Sequence, residues 1–185
     1  MVSRRIVLTL LALGSPVVAY AHTPYRLWDA FRKRNLQILT SREDYTGDEV
    51  GEAWVAVLRD QLPLSRAMVS RARDLVRVAS LLKTDQSKIA VLSYEHARQM
   101  FNGEGVFASF VPMPLELLLD DGAYVLVARN TLPKDHGFFI TAALAQSPEL
   151  GFKKPTMSSF GMGVHPGAQA FFRGEEMKLE PTAES

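Results

Sequence analysis

Three short stretches concentrate side chains able to hold a small anion: Thr40, Ser41, Arg42 and Tyr45; Arg71 and Arg73; and Ser93 with Tyr94. Hydroxyls donate single hydrogen bonds to a carboxylate and an arginine can clamp both of its oxygens, so the set suits a carboxylate-type solute. Arg71 and Arg73 also flank Asp74, and each alone reads equally as a solvated surface residue. Catalytic spacings are missing. The chain has no G-x-S-x-G, no H-E-x-x-H, no G-x-x-x-x-G-K-[ST], and no G-x-G-x-x-G behind a strand. His22, His96, His136 and His165 are scattered, and with no cysteine there is neither a thiolate metal site nor a Cys nucleophile. Asp120-Asp121 and Glu175-Glu176 are sequence neighbours, so on regular structure their carboxylates diverge. No nucleophile, base and orienter assemble from these residues. The expectation is a binding protein, not an enzyme, with no cofactor and no metal.

The elements around these stretches decide whether they meet. Leu36 to Thr40 alternates apolar and polar as a strand does. Ser41 to Asp48 is turn-rich, and a helical pattern follows through Gln61, with Val50, Trp54, Val57 and Leu58 on one face. The cycle repeats with Ala67-Met68-Val69 as a short strand and Asp74 to Leu82 as a helix, then with Ile89 to Leu92 as a buried strand and Tyr94 to Phe101 as a third helix. Three strand-helix units predict an α/β fold, a parallel sheet covered by helices. In such a sheet the ligand groove lies at the carboxyl ends of the strands, which nominates the loops 40–46, 70–74 and 93–95. Beyond Asn102 to Gly105, Pro114 to Leu119 reads as a short helix, Asp120-Asp121-Gly122 as a turn and Tyr124 to Ala128 as a strand. Pro133 then opens a helix to about Ala145, and a last short helix follows Pro166.

The N-terminus carries its own signal. Residues 1–21 run MVSRRIVLTLLALGSPVVAYA, with Arg4 and Arg5, an apolar run from Ile6 to Ala12, and the small-x-small triplet Ala19-Tyr20-Ala21. This is the pattern of a secretory signal peptide, and Gly14-Ser15-Pro16 interrupts it before the ~20 apolar residues a membrane span needs. Residues 22–185 are then one α/β domain of an exported, periplasmic-type protein. Losing Arg4 and Arg5 takes the formal charge from +1 to −1. With 21 Lys+Arg against 20 Asp+Glu, a nucleic acid is not an expected partner.

Met162-Gly163-Val164-His165-Pro166-Gly167-Ala168, followed by Phe171-Phe172, resembles the C-terminal signature of the TAXI family, the extracytoplasmic solute-binding proteins of TRAP transporters. Tyr124 to Arg129, Leu132-Pro133-Lys134-Asp135 and Thr141-Ala142-Ala143-Leu144 are similar to that family's strand, acidic turn and helix, and 80–97 to a stretch where a buried strand meets the ligand. The resemblance implies a periplasmic-binding-protein architecture, a small solute and a membrane permease as partner. Members resemble a two-lobed clamp, whereas here Phe107 to Tyr124 leaves no room for a second lobe, so the chain looks like a single lobe. The family's Gly-rich first loop is replaced by Ser41 to Gly47, and its Ser-x-x-Asn element by Ser70 to Asp74. The expected site comes from the three strand-end loops and not from the family's ligand contacts: Thr40, Ser41, Tyr45, Arg71, Arg73, Ser93 and Tyr94. The alternative is a ligand-free accessory protein on the same lobe, docking on a partner or homodimerising through Phe107, Phe110, Val111, Met113 and Leu115.

Overall fold

A computed structural model describes residues 35–177. Residues 1–21, expected to be a signal peptide, residues 22–34 and the C-terminal residues from 178 lie outside the described residues. Strand β1 is Gln37–Ser41, β2 Met68–Ala72, β3 Ile89–Ser93, β4 Leu115–Asp120 and β5 Tyr124–Arg129. The helices are α1 Tyr45–Gln61, α2 Leu75–Lys83, α3 Tyr94–Asn102, α4 Lys134–Ala145 and α5 Pro166–Phe172. The five strands form one sheet in the order β2-β1-β3-β5-β4. β1 pairs parallel with both β2 and β3, β5 pairs antiparallel with β3, and β4 with β5. The sheet is therefore mixed, with β5 alone reversed, which corrects the expectation of a purely parallel sheet.

Helices cover both faces, as they must where strands such as β3 are apolar on both sides. One core packs Trp54, Val55 and Leu58 of α1, with Ile140 and Leu144 of α4, against Ile38, Val69, Val91 and Leu126. The other packs Val78, Ala79 and Leu82 of α2, with Ala97 and Met100 of α3, against Leu39, Ala90, Leu92 and Val127. The result is three layers.

Residues 115–120 are a strand, not the helix their composition suggested. Asp120 and Asp121 explain the difference, because each accepts backbone amides across the turn: Asp120 Oδ1 from Gly122, and Asp121 Oδ1 from Ala123 and Tyr124. That closes a hairpin and presents 115–120 to the strongly strand-forming 124–129. The register shifts between Leu117 and Leu119, so Leu115 and Leu117 enter one core while Leu118 and Leu119 enter the other. This bulge breaks the two-residue alternation by which a strand is recognised. Phe107, Met113 and Leu115 are buried in the second core and Phe110 packs against it, leaving Val111 exposed, so they form no apolar patch. No helix among the described residues is long and apolar enough to cross a membrane.

The segment His165-Pro166-Gly167-Ala168 is a structural clasp. His165, 1% exposed, accepts the Gly167 amide on Nδ1 at 3.0 Å and donates from Nε2 to the Leu132 carbonyl at 3.1 Å, which fixes its tautomer and ties the start of α5 to the start of α4. Pro166 occupies the first helical position, where it needs no amide. Gly167 is required by contact: a Cβ there would lie 2.2 Å from the Lys134 carbonyl oxygen and 2.4 Å from the Phe138 nitrogen. Gly137 faces it similarly, since a Cβ would lie 2.3 Å from the His165 ring.

Candidate functional site

The turn after β1 builds the centre of the C-terminal rim. Asp44 Oδ1 caps α1 by accepting the Gly47 amide at 2.9 Å, and it also accepts the Tyr124 hydroxyl at 2.8 Å. Its other oxygen faces His96 Nδ1 at 3.6 Å. That separation is beyond hydrogen-bond reach, and Nδ1 has no partner among the described residues. The β1 loop, the first turn of α3 and the first residue of β5 thus converge on one carboxylate. Burial, with the Asp44 hydrogen bond second, pushes the Tyr124 phenol up to about 12. It stays a donor throughout the physiological range.

The register brings the three nominated loops to this same rim. Ser41 lies opposite Ala72, and Ser93 opposite Tyr124. A hydrogen bond from the Leu75 amide to Glu43 Oε2, 3.4 Å, links the first two loops, and the Asp44–His96 approach links the first to the third. Each loop also starts a helix on the rim, capped by Asp44 for α1, Asp74 for α2 and Ser93 for α3. Helix N-termini favour negative charge, and two of these three already hold one in their own cap. The third, at α3, is capped by a hydroxyl that accepts the His96 amide at 3.2 Å.

The predicted residues fall into two groups. Thr40 and Arg71 grip Asp48 of α1. Thr40 Oγ1 donates to one carboxylate oxygen at 2.7 Å and Arg71 Nε to the other at 2.7 Å, while Arg71 Nη2 reaches Glu52 at 2.6 Å. Partial burial opposes the Asp48 charge, but these two donors hold its carboxyl below the usual range. Thr40 is fully buried, so it faces no solvent. Together the two residues staple α1 to β1 and β2.

Ser41, Tyr45, Arg73, Ser93 and Tyr94 sit on the rim itself. Ser41 is nearly buried and its hydroxyl accepts the Glu43 amide at 3.3 Å. Arg73 donates to Asp74 at 2.6 Å but its side chain is 84% exposed. Tyr45 is exposed, with its phenol raised by a hydrogen bond to Glu49. Tyr94 shares a hydroxyl contact with Ser159 at 3.0 Å and stacks edge-on with Phe160, which anchors the 153–163 segment beside the rim.

Sequence reading missed Asp44, His96 and Tyr124. His96 looked like a helix-packing residue and Tyr124 like the first position of a core strand. No local sequence signal marked them: it is the reversal of β5, visible only in the sheet pairing, that puts Tyr124 at the carboxyl ends of β1 and β3. Chemically, the rim offers hydroxyls, the exposed guanidinium groups of Arg42 and Arg73, and an imidazole beside a carboxylate, and among the described residues no three or more metal-ligating side chains gather. No family model matches this chain, and no curated protein or solved structure matches it. Fold and site together define a mixed α/β domain with a polar rim at one pole of its sheet.

Proposed function

We propose that this protein is an exported solute-binding protein, a single-lobed relative of the periplasmic receptors of TRAP transporters, and that it holds a small carboxylate-type solute on the C-terminal rim for a membrane permease. The reading is supported by the arrival of all three nominated loops on one rim, with Asp44 joining them. Ser93 and the α3 N-terminus are the place there for the carboxylate, because that helix alone of the three is capped by a hydroxyl; Glu95 in its first turn and Asp44 facing His96 are the negative charges it would have to sit beside. Arg73 lies on the same rim, one strand removed from β3 across β1, and its mostly exposed pair with Asp74 holds it weakly, which leaves its guanidinium available to an anion on the rim. Arg71 has a different role: it secures α1.

A thermal-shift screen of amino acids, dicarboxylates and oxoacids tests this. A ligand present at about 100 times its Kd stabilises by about 2.7 kcal/mol, which is roughly 5–10 °C for a domain of this size. Arg73→Gln should reduce that shift while leaving the ligand-free melting temperature unchanged. The second reading, a ligand-free accessory protein that docks on a partner or homodimerises, is favoured by the internal pairing of Arg71 and the acid caps of α1 and α2. Silence across the panel together with a dimer, or with a co-purifying partner, would select it.

A further inference from the structure

At the opposite pole of the sheet lies a cleft of about 450 Å³, within the range of small-molecule sites. Its walls are the start of β1, the 85–89 approach to β3, and the Leu132-Pro133 lead into α4 with His136. Its charges cancel. Lys88 Nζ donates to Asp85 at 2.7 Å and to Thr131 Oγ1 at 3.0 Å, and Thr131 donates in turn to Asp85 at 2.6 Å. This closed triangle leaves the ammonium little call on an outside anion, and Asp135 in the first turn of α4 adds a negative charge nearby. Burial lowers the pKa of His136, which keeps its ring neutral at physiological pH.

What remains is a neutral hydrogen-bonding set. Gln37 and Gln86 bring amides that both donate and accept. Ser87, 7% exposed, is one of the cleft's lining residues, and its hydroxyl, buried beneath the cleft surface, has no partner among the described residues. Buried hydroxyls are rarely left so, because the lost hydration goes unrepaid. Leu36, Ile89 and Leu132, all buried, form an apolar floor. Amides and a hydroxyl able to give and take hydrogen bonds, over an apolar floor and with no net charge, match a molecule whose hydroxyls do the same and whose C–H face is apolar.

We infer that this cleft is a binding site for a small neutral polyol, a monosaccharide or sugar alcohol. On binding, the Ser87 side chain would turn its unpartnered hydroxyl toward the innermost hydroxyl group of the polyol, and Gln37 would meet an outer one. The site is independent of the rim and of the solute proposed there.

The test is saturation-transfer NMR with isothermal titration on the purified chain, using glucose, mannitol and glycerol against succinate and phosphate. Saturable binding of at least one polyol, weakened about tenfold by Ser87→Val and by Gln37→Leu, is expected, since each variant removes one hydrogen bond of about 1.4 kcal/mol. Gln37 is exposed, so its variant reports on binding even if Ser87→Val folds poorly. Arg73→Gln, at the other pole, should leave polyol binding unchanged. The inference is overturned by the absence of saturable polyol binding, by tighter binding of succinate or phosphate than of any polyol, or by polyol binding that survives both cleft variants. None of these results bears on the rim, whose carboxylate ligand is read out separately through Arg73→Gln.

Discussion

A single carboxylate sets how the rim is organised. Asp44 receives Tyr124 and the Gly47 amide and lies near His96, so Tyr124→Phe should cost about 1 kcal/mol in urea unfolding. The same variant should remove from the alkaline absorbance titration the Tyr124 component that ionises at about 12. An unchanged titration would mean that the phenol is not held as described. Gly167 makes a sharper case. With a backbone oxygen 2.2 Å from where a Cβ would stand, Gly167→Ala must push α4 and α5 apart, at a cost of about 3 kcal/mol. A melting temperature within 2–3 °C of wild type, less than ~1 kcal/mol for a chain of this size, would contradict that contact. The sequence made the hydroxyls and arginines of the rim visible because their types advertise chemistry. It hid Asp44, whose role depends on a tyrosine 80 residues away.

Among the elements, α5 hangs on His165. Its ring is neutral because burial, against the pull of the Leu132 carbonyl and of Glu116, lowers its pKa below the ordinary histidine value. An unfolded chain takes up that proton near pH 6.5 and the folded one only at lower pH, so the unfolded state binds more protons as pH falls. Stability should therefore decline below about pH 6.5, by at most about 1.4 kcal/mol per pH unit for this group. His136, also lowered by burial, adds in the same direction. His165→Asn keeps a cap for α5 and should flatten this acid limb while lowering stability at neutral pH by about 1–3 kcal/mol. Denaturation midpoints from pH 5 to 8 measure both effects, and an acid limb of equal slope in the variant would acquit His165. Most elements were legible. The helices 45–61, 75–83 and 134–145 follow from apolar spacing, and the strand 89–93 from an unbroken apolar run. β4 was not, because its bulge divides consecutive leucines between two cores and erases the period of two on which recognition depends.

For the whole molecule, order along the chain predicted the parallel β1, β2 and β3 but not the reversal of β5, since strand direction relative to a distant neighbour leaves no local mark. If residues 1–21 are removed on export, Edman sequencing of the secreted product begins at His22; a product retaining Met1 would exclude that route. The polar rim and the neutral cleft occupy opposite poles of one sheet, so their ligands should not compete: a saturating carboxylate should leave a polyol isotherm unshifted. A mutual displacement would place both ligands in one site.

The sheet is also sewn from two contiguous pieces of chain. β2, β1 and β3 come from residues 37–93, β4 and β5 from 115–129, and the β3–β5 ladder is the one backbone seam between them among the described strands. The connector between the pieces passes Gly105, where an added Cβ would meet no atom within 4 Å, and the exposed Val106. A nick there should leave two fragments that stay associated and that, expressed apart, zip together along the seam as a split protein.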